Sequence, residues 1–326
     1  MRCVVYHGAG GSEVVAVESR PDPTPSRFEV VIAPRFAGVN PADALQREGR
    51  HPVPPGWPTD IPGLEVAGPV VARGEAVTGF ELGDRVFGLV GGGGLADRVV
   101  AAEREIVPVP ESLDDQAAAA VPEAFLTAFD AIVQQAGLMP GDTLLVNGAN
   151  GGVGCAAVQI ARSMGARVVA SVRSETLHPR VAELGAAVAG AAEAFQQVRD
   201  LGGADVILEL VGAPHMAENV TALARGGRLV IVGARPGDEA TLALRELMTR
   251  RAHVIGTTLR TRPPEEKARL TQDFGRQIVP LLAAGTIAPV VDRIFPLAAA
   301  ADAIDYVRRP GKFGKVLVEL PDSEGP

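Results

Sequence analysis

The stretch Asp142-Thr-Leu-Leu-Val-Asn-Gly-Ala-Asn-Gly-Gly-Val-Gly154 decides the fold of this chain. The apolar run at 144–146 predicts a strand, the glycines predict a tight turn, and apolar residues at helical spacing follow from Val153 to Ala161. A second apolar run at 168–172 completes a βαβ unit. Glycines at such a junction let a pyrophosphate approach the N–H groups at the start of the helix. We therefore predict a dinucleotide site here rather than a purely structural turn.

The composition excludes several classes of protein. The chain has 326 residues, a net charge of −8 and no basic run, so nucleic-acid binding is not expected. No apolar stretch approaches the ~20 residues of a membrane span, and the N-terminus lacks the apolar core of a signal peptide. The two cysteines cannot form a disulfide framework, and we therefore expect a reducing, cytoplasmic location.

The sequence pattern changes near Leu113. Before it, short β segments are separated by glycine and proline, which is typical of a compact β domain. After it comes a helical stretch from 115 to 136 that Pro122 interrupts, and then strands and helices alternate. This alternation predicts an α/β fold with a doubly wound parallel sheet.

Eight short motifs along nearly the whole chain are modest individually and specific in their order. They are Ala37-Gly-Val-Asn-Pro-Ala-Asp43 with Gln46-Arg47, Pro54-Pro55-Gly56, Ile61-Pro-Gly-Leu-Glu-Val-Ala-Gly68, Val121-Pro-Glu-Ala-Phe-Leu-Thr-Ala128, the Gly151–Gly154 turn, Leu259-Arg-Thr-Arg262, Val291-Asp-Arg293 and Gly314-Lys-Val-Leu317. With them the chain resembles the quinone oxidoreductase (zeta-crystallin-like) branch of the medium-chain dehydrogenase/reductase superfamily, and most of all its p53-inducible type. The resemblance implies a GroES-like β-rich catalytic domain from 1–121 and 261–326 and a Rossmann domain from 122–260.

The resemblance also implies a reductase without zinc. Zinc-dependent members of the superfamily carry a Cys and a Gly-His-Glu segment, where this chain has Ala-Gly-Val-Asn40 and Gly-Leu-Glu65, with Leu64 at the position of the His. The four-cysteine structural zinc lobe is absent too. Cys3 and His7 would lie ~13 Å apart along a strand, too far for one ion. We expect no metal.

The end of the second predicted strand bears on the choice of nicotinamide cofactor. It offers Arg173 and Ser174, which suit a 2′-phosphate and therefore favour NADPH. Glu175 is the rival, because an acidic residue at this point selects NAD, but it follows the strand end and is typical of a first helical turn. Relatives have a Lys and a Tyr for which this chain has no clear equivalent, so Arg173, with Arg180 further along, is predicted to substitute. Arg173 as a solvated charge is the alternative.

Other cofactor contacts are implied by position in the family. Asn40 and Thr127 would lie near the nicotinamide, Gly151, Gly152 and Val153 would hold the pyrophosphate, Val211, Gly233 and Leu259 would line the ribose and ring, and Lys315 would approach from the last strand. Asn40 as a plain helix cap and Thr127 as an ordinary helical residue are the alternatives.

No strong acid constellation is visible in the sequence, so solvent is one source of the proton that follows hydride transfer. His51 stands where relatives often have Tyr, and it is the catalytic candidate, as a proton donor or a substrate contact. An exposed loop histidine is the alternative. Trp57 is either a flat wall for an aromatic substrate or a packed loop anchor.

The leading function is an NADPH-dependent reductase of a quinone or conjugated enone. A trans-acting enoyl reductase is the runner-up, for which Arg250, Arg251, Arg260 and Arg262 are candidate carrier contacts at the cleft mouth. A non-catalytic NADPH-binding protein is the alternative of another class. We also expect a homodimer, formed through the edge strand at Val254–Leu259, because pairing satisfies its backbone groups.

Overall fold

The structure is a computed structural model that describes residues 1–233, 237 and 239–321. The chain divides into two compact units. Unit 1 consists of Met1–Leu126 and Leu259–Pro326, and unit 2 is Thr127–Thr258. The domain boundaries predicted from the sequence, 121/122 and 260/261, stay predictions. The division between the two units after Leu126 falls inside a helix, Pro122–Phe129.

The strands alternate with helices only in the middle of the chain. Numbered in chain order, the strands are β1 (Arg2–Tyr6), β2 (Val15–Ser19), β3 (Glu29–Ile32), β4 (Phe36–Val39), β5 (Glu65–Arg73), β6 (Arg85–Leu89), β7 (Val99–Ala102), β8 (Ile106–Pro108), β9 (Thr143–Asn147), β10 (Arg167–Ser171), β11 (Ala187–Ala189), β12 (Ala204–Glu209), β13 (Leu223–Ile231), β14 (His253–Gly256), β15 (Val291–Pro296) and β16 (Lys315–Glu319).

The helices are mostly short. They are α1 (Pro41–Arg47), α2 (Asp115–Ala119), α3 (Pro122–Phe129), α4 (Gly152–Ser163), α5 (His178–Glu183), α6 (Ala191–Asp200), α7 (Met216–Ala222), α8 (Leu244–Arg250), α9 (Pro264–Gln277), α10 (Val279–Ala283) and α11 (Ala300–Tyr306). Pro122 separates α2 from α3 as predicted, and a π-helix, Asp130–Gln135, extends α3.

Unit 1 is built mainly of antiparallel strands. A five-stranded sheet has the order β7-β3-β5-β6-β8, and valines and isoleucines from its strands form one core cluster. A three-stranded sheet, β15-β16-β4, joins the early strand β4 to the late strand β16 in antiparallel register, with Val39 opposite Val316. Strand β1 pairs with β2.

Unit 2 contains one parallel sheet of order β11-β10-β9-β12-β13-β14. Renumbered from β9, this order is 3-2-1-4-5-6, which is that of the doubly wound fold. The strand order reverses between β9 and β12, and ligands of such sheets bind at the carboxyl ends of the strands at that point. The fold class predicted from the sequence, a β-rich domain plus a doubly wound parallel sheet, is confirmed.

Candidate functional site

The predicted pyrophosphate turn forms between β9 and α4. Gly148 has a φ of +80°, a conformation that side chains disfavour, and its N–H donates to the carbonyl of Ser171 at the end of β10. A Cβ on Gly154 would lie 2.6 Å from Cα of Ala149, so only glycine lets the helix start this close to the turn. The helix begins at Gly152 with Gly151 as its N-cap, and its first N–H groups lack intrahelical acceptors. This turn can therefore receive an anionic phosphate.

The residues predicted to determine the selectivity between NADPH and NADH follow the end of β10. Strand β10 ends at Ser171, and Arg173 is exposed two residues later. Ser174 shares a hydrogen bond of 2.8 Å with the hydroxyl of Thr176. Glu175 is the first residue of a 3₁₀ helix, Glu175–Leu177, which confirms its position after the strand end. Arg180 is exposed on α5. The guanidinium of Arg173 forms no ion pair with the described residues, and it is available to an anion.

A buried carboxylate lies at the end of β12, the strand on the other side of β9, and the sequence did not reveal it as part of the site. Glu209 ends β12 directly opposite Asn147, the last residue of β9. Its Oε1 accepts the backbone N–H groups of Val211 at 2.6 Å and Gly212 at 2.8 Å. Its Oε2 accepts the side-chain amides of Asn147 at 2.8 Å and Asn219 at 2.7 Å. Glu209 thereby links two strand ends, a loop and a helix.

The charge of Glu209 is stabilised although the residue is completely buried. Burial raises the pKa of its carboxyl. His215, whose Nδ1 lies 3.5 Å from Oε2, and the hydrogen bonds from Asn219 and the Val211 and Gly212 amides outweigh burial and lower the pKa below the usual range. The backbone carbonyl of Glu209 also accepts the N–H groups of Val232 and Gly233. Two residues predicted as cofactor contacts, Val211 and Gly233, are thus held by this one residue.

In unit 1, two predicted cofactor residues contact each other. The ammonium of Lys315 donates to Oδ1 of Asn40 at 2.5 Å and to Oε1 of Glu65 at 2.5 Å, and the amide of Asn40 donates to the same oxygen of Glu65 at 2.8 Å. All three residues are buried. Asn40 is also the N-cap of α1, so its cap interpretation is confirmed, and a cofactor contact by Asn40 or Lys315 stays a prediction.

Two further carboxylates adjoin this pair. Asp43 accepts the backbone N–H groups of Asn40 and Gly63, yet burial raises its pKa to about 6. Glu123 lies 3.9 Å from the Lys315 ammonium at the start of α3, and burial raises its pKa to about 7. Three carboxylates around one ammonium therefore favour binding of a proton in this cluster near neutral pH.

The surroundings of His51 are set by Arg260, which is buried rather than available at a surface. Its guanidinium donates to the carbonyls of Gly91 and His51, at 3.0 and 3.3 Å, and to Oε1 of Gln46 at 2.7 Å. Arg260 as a carrier contact is therefore wrong, because its hydrogen bonds are satisfied inside unit 1. Burial, with the charge of Arg260, lowers the pKa of His51, so the imidazole is mainly neutral at pH 7.

The indole of Trp57 is in contact with several parts of unit 1. A Cβ on Gly91 would lie 2.5 Å from its indole ring, and the Lys267 ammonium lies 5.6 Å from the ring centroid while pairing with Glu105 at 3.1 Å. Trp57 also packs against the core of the five-stranded sheet. These contacts support the loop-anchor interpretation.

The predicted residues are distributed over both units. Asn40, His51, Trp57, Leu259 and Lys315 belong to unit 1, whereas Thr127, Gly151, Gly152, Val153, Arg173, Ser174, Arg180, Val211 and Gly233 belong to unit 2. Thr127 is buried on α3. A Cβ on Gly233 would lie 2.5 Å from the carbonyl oxygen of Leu210, which explains why glycine follows β13.

Two absences concern the described part of the chain only. In residues 1–233, 237 and 239–321, no three His, Cys, Asp or Glu side chains form a group suited to hold a metal ion. No helix among the same residues has the length and apolar character to cross a membrane.

Known proteins resemble the chain over nearly its whole length. The family model for the alcohol dehydrogenase GroES-like domain matches residues 26–111, and that for zinc-binding dehydrogenase matches residues 152–274. The quinone oxidoreductase of Lama guanicoe is 33% identical, over 98% of either chain. Among solved structures, the quinone oxidoreductase of Thermus thermophilus, determined also with NADPH, is 34% identical and has a TM-score of 0.84 over 98% of this chain and 100% of its own.

A second solved structure, of an NAD-dependent alcohol dehydrogenase, is 32% identical with a TM-score of 0.85, over 98% of this chain and 100% of its own. These likenesses agree with the glycine turn, the strand order of unit 2 and the β-rich architecture of unit 1. The chain therefore belongs to the quinone oxidoreductase branch of the medium-chain dehydrogenase/reductase superfamily.

Proposed function

We propose that the protein is an NADPH-dependent, zinc-independent reductase that transfers hydride to a quinone or a conjugated enone. The observation that carries the proposal is the glycine turn between β9 and α4, because it joins a helix start to the carboxyl edge of a parallel sheet. The relatives named quinone oxidoreductase support the acceptor class.

The residues of unit 2 fit a phosphorylated nicotinamide dinucleotide. Gly151, Gly152 and Val153 would hold the pyrophosphate at the start of α4, and Arg173 with Ser174, supported by Arg180, would hold the 2′-phosphate. Arg173 is exposed beside the strand end and uncommitted to a carboxylate among the described residues, which supports this assignment. One relative is named NAD-dependent, so the selectivity between the two cofactors requires a direct measurement.

Zinc independence is supported by the chemistry of the side chains at the corresponding segment. Leu64, which cannot bind a metal, precedes Glu65, and the carboxylate of Glu65 is paired with the Lys315 ammonium at 2.5 Å. The cysteines, Cys3 and Cys155, are both buried and unpaired with each other. The Lys315 ammonium therefore already balances the charge of Glu65, so this carboxylate needs no metal ion.

The bound cofactor supplies the hydride. The task of the protein is to orient the acceptor, exclude water and stabilise the developing enolate or hydroquinone anion. We propose that Asn40, Thr127, Val211, Gly233, Leu259 and Lys315 line the cofactor and that His51 contacts the substrate. Because the lowered pKa leaves His51 mainly neutral, its expected role at pH 7 is hydrogen bonding, and solvent is the expected proton source for a hydroquinone.

Oxidation of NADPH, followed by its near-ultraviolet absorbance, tests the proposal with 1,4-benzoquinone, 9,10-phenanthrenequinone and a simple enone. Each reaction is repeated with NADH. Turnover of a quinone with NADPH preferred is the expected result. Tight NADPH binding without turnover of any acceptor would contradict the quinone assignment, and absence of binding would contradict the proposal as a whole.

We also propose a homodimer in the cytoplasm. Strand β14 lies at the edge of the parallel sheet with β13 as its partner, and α8 just before it exposes Leu244 and Met248, with 68% and 77% of their surface accessible. Pairing of two β14 strands would provide hydrogen-bond partners for the backbone N–H and C=O groups of the edge strand and would cover apolar surface. Light scattering after size-exclusion chromatography should give twice the mass of the chain, and a monomer at micromolar concentration would exclude the dimer.

A further inference from the structure

The feature that carries a further inference is the buried carboxylate of Glu209 at the point where the strand order of unit 2 reverses. Strands β9 and β12 are neighbours there, and their last residues, Asn147 and Glu209, lie opposite each other. Glu209 has no accessible surface. A buried charge is costly unless it is fully hydrogen-bonded, so its presence at this place calls for an explanation.

The hydrogen bonds of Glu209 are divided between its two oxygens. One oxygen holds the loop, through the N–H groups of Val211 and Gly212. The other is held in turn by the amides of Asn147 and Asn219. Asn219 lies on α7, so the carboxylate cannot shift toward the loop without breaking bonds to both a strand end and a helix.

The orientation of Asn147 follows from the same network. Its Nδ2 donates to Glu209 and also to Oδ1 of Asn219 at 2.8 Å, so the amide cannot be reversed without placing an oxygen against a carboxylate. The Oδ1 of Asn147 has no hydrogen-bond partner among the described residues. An apolar residue in place of Glu209 would leave two loop N–H groups unsatisfied and would remove one acceptor from each of the amides of Asn147 and Asn219.

A doubly wound sheet has two mononucleotide-binding halves, and the two ends of the dinucleotide lie on opposite sides of the point of reversal. In this chain β9, β10 and the turn before α4 form the half for the pyrophosphate and the adenosine ribose. The loop after β12 belongs to the other half, that of the nicotinamide. Glu209 fixes this loop with its side chain and the segment after β13 with its carbonyl.

We propose that Glu209 is a positioning residue for the nicotinamide half of the cofactor, acting through the Leu210–Gly212 loop. The inference rests on the proposed function, because it assigns the ligand that the loop receives. The carboxylate holds the loop N–H groups directly. Its contact with the other half is a single hydrogen bond to Asn147, and none of its hydrogen bonds involves Arg173 or Ser174, the residues proposed to hold the 2′-phosphate. Its loss therefore weakens binding of a whole dinucleotide more than binding of its adenosine half.

The test compares dissociation constants for NADPH and for 2′,5′-ADP, measured by isothermal titration calorimetry on the full chain. Glu209→Ala removes all four bonds. Glu209→Gln keeps the size of the side chain but has only one acceptor oxygen, so its NH₂ must face donors either on the loop or on Asn147 and Asn219. We expect the dissociation constant for NADPH to rise at least tenfold, and that for 2′,5′-ADP less than threefold. Thermal unfolding establishes that each variant is folded at the temperature of the titration, and Glu209→Gln serves if Glu209→Ala is not.

Asp205→Ala is the matched control. Asp205 lies on the same strand, at its opposite end, and also accepts a backbone N–H, that of Thr143 at 2.8 Å. Its loss should weaken neither ligand, whatever it does to stability. Equal weakening of both ligands by Glu209→Gln, or unchanged NADPH binding in a folded variant, would overturn the inference. A wild-type protein that binds neither ligand would instead overturn the proposed function and the inference with it.

Discussion

The ammonium of Lys315 lies 2.5 Å from a carboxylate oxygen of Glu65, and both side chains are almost completely buried. The pair joins β16 to the start of β5 inside unit 1. Burial lowers the pKa of Lys315, but the charges of Glu65 and Glu123 outweigh burial and raise it above the usual value. The ion pair therefore persists through neutral pH.

Removing one partner of this pair should be much worse than removing both. Lys315→Met leaves the Glu65 charge without its cation and should lower the free energy of unfolding by ~3–5 kcal/mol. Lys315→Met combined with Glu65→Gln removes both charges and should recover part of that loss. Urea unfolding followed by circular dichroism measures both variants. A single variant as stable as the wild type would show that the pair contributes little.

Glu123→Gln should change how stability depends on pH. Burial raises the pKa of Glu123 to about 7, with Lys315 opposing the rise and Glu65 adding to it. Because the folded pKa lies above the usual 4.5, the protonated carboxyl favours the folded state. This contribution is complete below about pH 4.5 and is lost as the pH rises through about 7.

Glutamine mimics the protonated carboxyl and does not titrate. Between pH 5 and pH 8 the wild type should therefore lose ~1–3 kcal/mol more stability than Glu123→Gln. Urea unfolding at both pH values measures the difference. Parallel losses in the two proteins would show that Glu123 is ionised throughout this range.

Arg173→Ala should affect the two nicotinamide cofactors differently. A charge-assisted bond to the 2′-phosphate contributes ~1–3 kcal/mol. The KM for NADPH should therefore rise by the factor that corresponds to this free energy, while the KM for NADH stays nearly constant. Arg167→Ala is the control, because Arg167 is exposed at the opposite end of the same strand. A similar change in both constants would reject the phosphate role of Arg173.

Arg260→Met should loosen the segment that carries His51. The apolar side chain leaves the oxygens of Gln46, His51 and Gly91 without their donor, and we expect a loss of ~2–4 kcal/mol in stability. Amide hydrogen exchange at 46–51 should accelerate. Arg269→Met, at an exposed position on α9, should change neither quantity. Unaltered exchange at 46–51 would mean that Arg260 does not hold the segment.

The structural elements that are determined by residues close together in the sequence could be predicted from it. The glycine turn, the break at Pro122 and the parallel sheet follow from local spacing, and Glu175 lies in the first turn after β10 as expected. The family resemblance rests on short motifs in order, and the curated relatives confirm it.

The buried polar contacts were not predictable, because their partners are distant along the chain. Glu209 follows the apolar run at 206–208, but its partner Asn147 precedes it by 62 positions, and only the register of the parallel sheet brings them together. The burial of Arg260 does not follow from its local sequence, because the carbonyls that accept its hydrogen bonds belong to residues 51 and 91. A charged residue at the end of an apolar strand was the one local signal of such a network.

The pairing of β4 with β16 has a consequence for how the chain folds during synthesis. Unit 2 is continuous, so every strand of its sheet is available once residue 258 has been made. Strand β4 pairs with β16, and the carboxylate of Glu65 pairs with Lys315 at the start of β16. Neither contact can form until β16 has been synthesised, which happens after the whole of unit 2. Unit 1 is therefore begun first and completed last. Until β16 is made, the nascent chain carries β4 without its partner strand and Glu65 without its cation, and a chaperone would be a natural partner for such a chain.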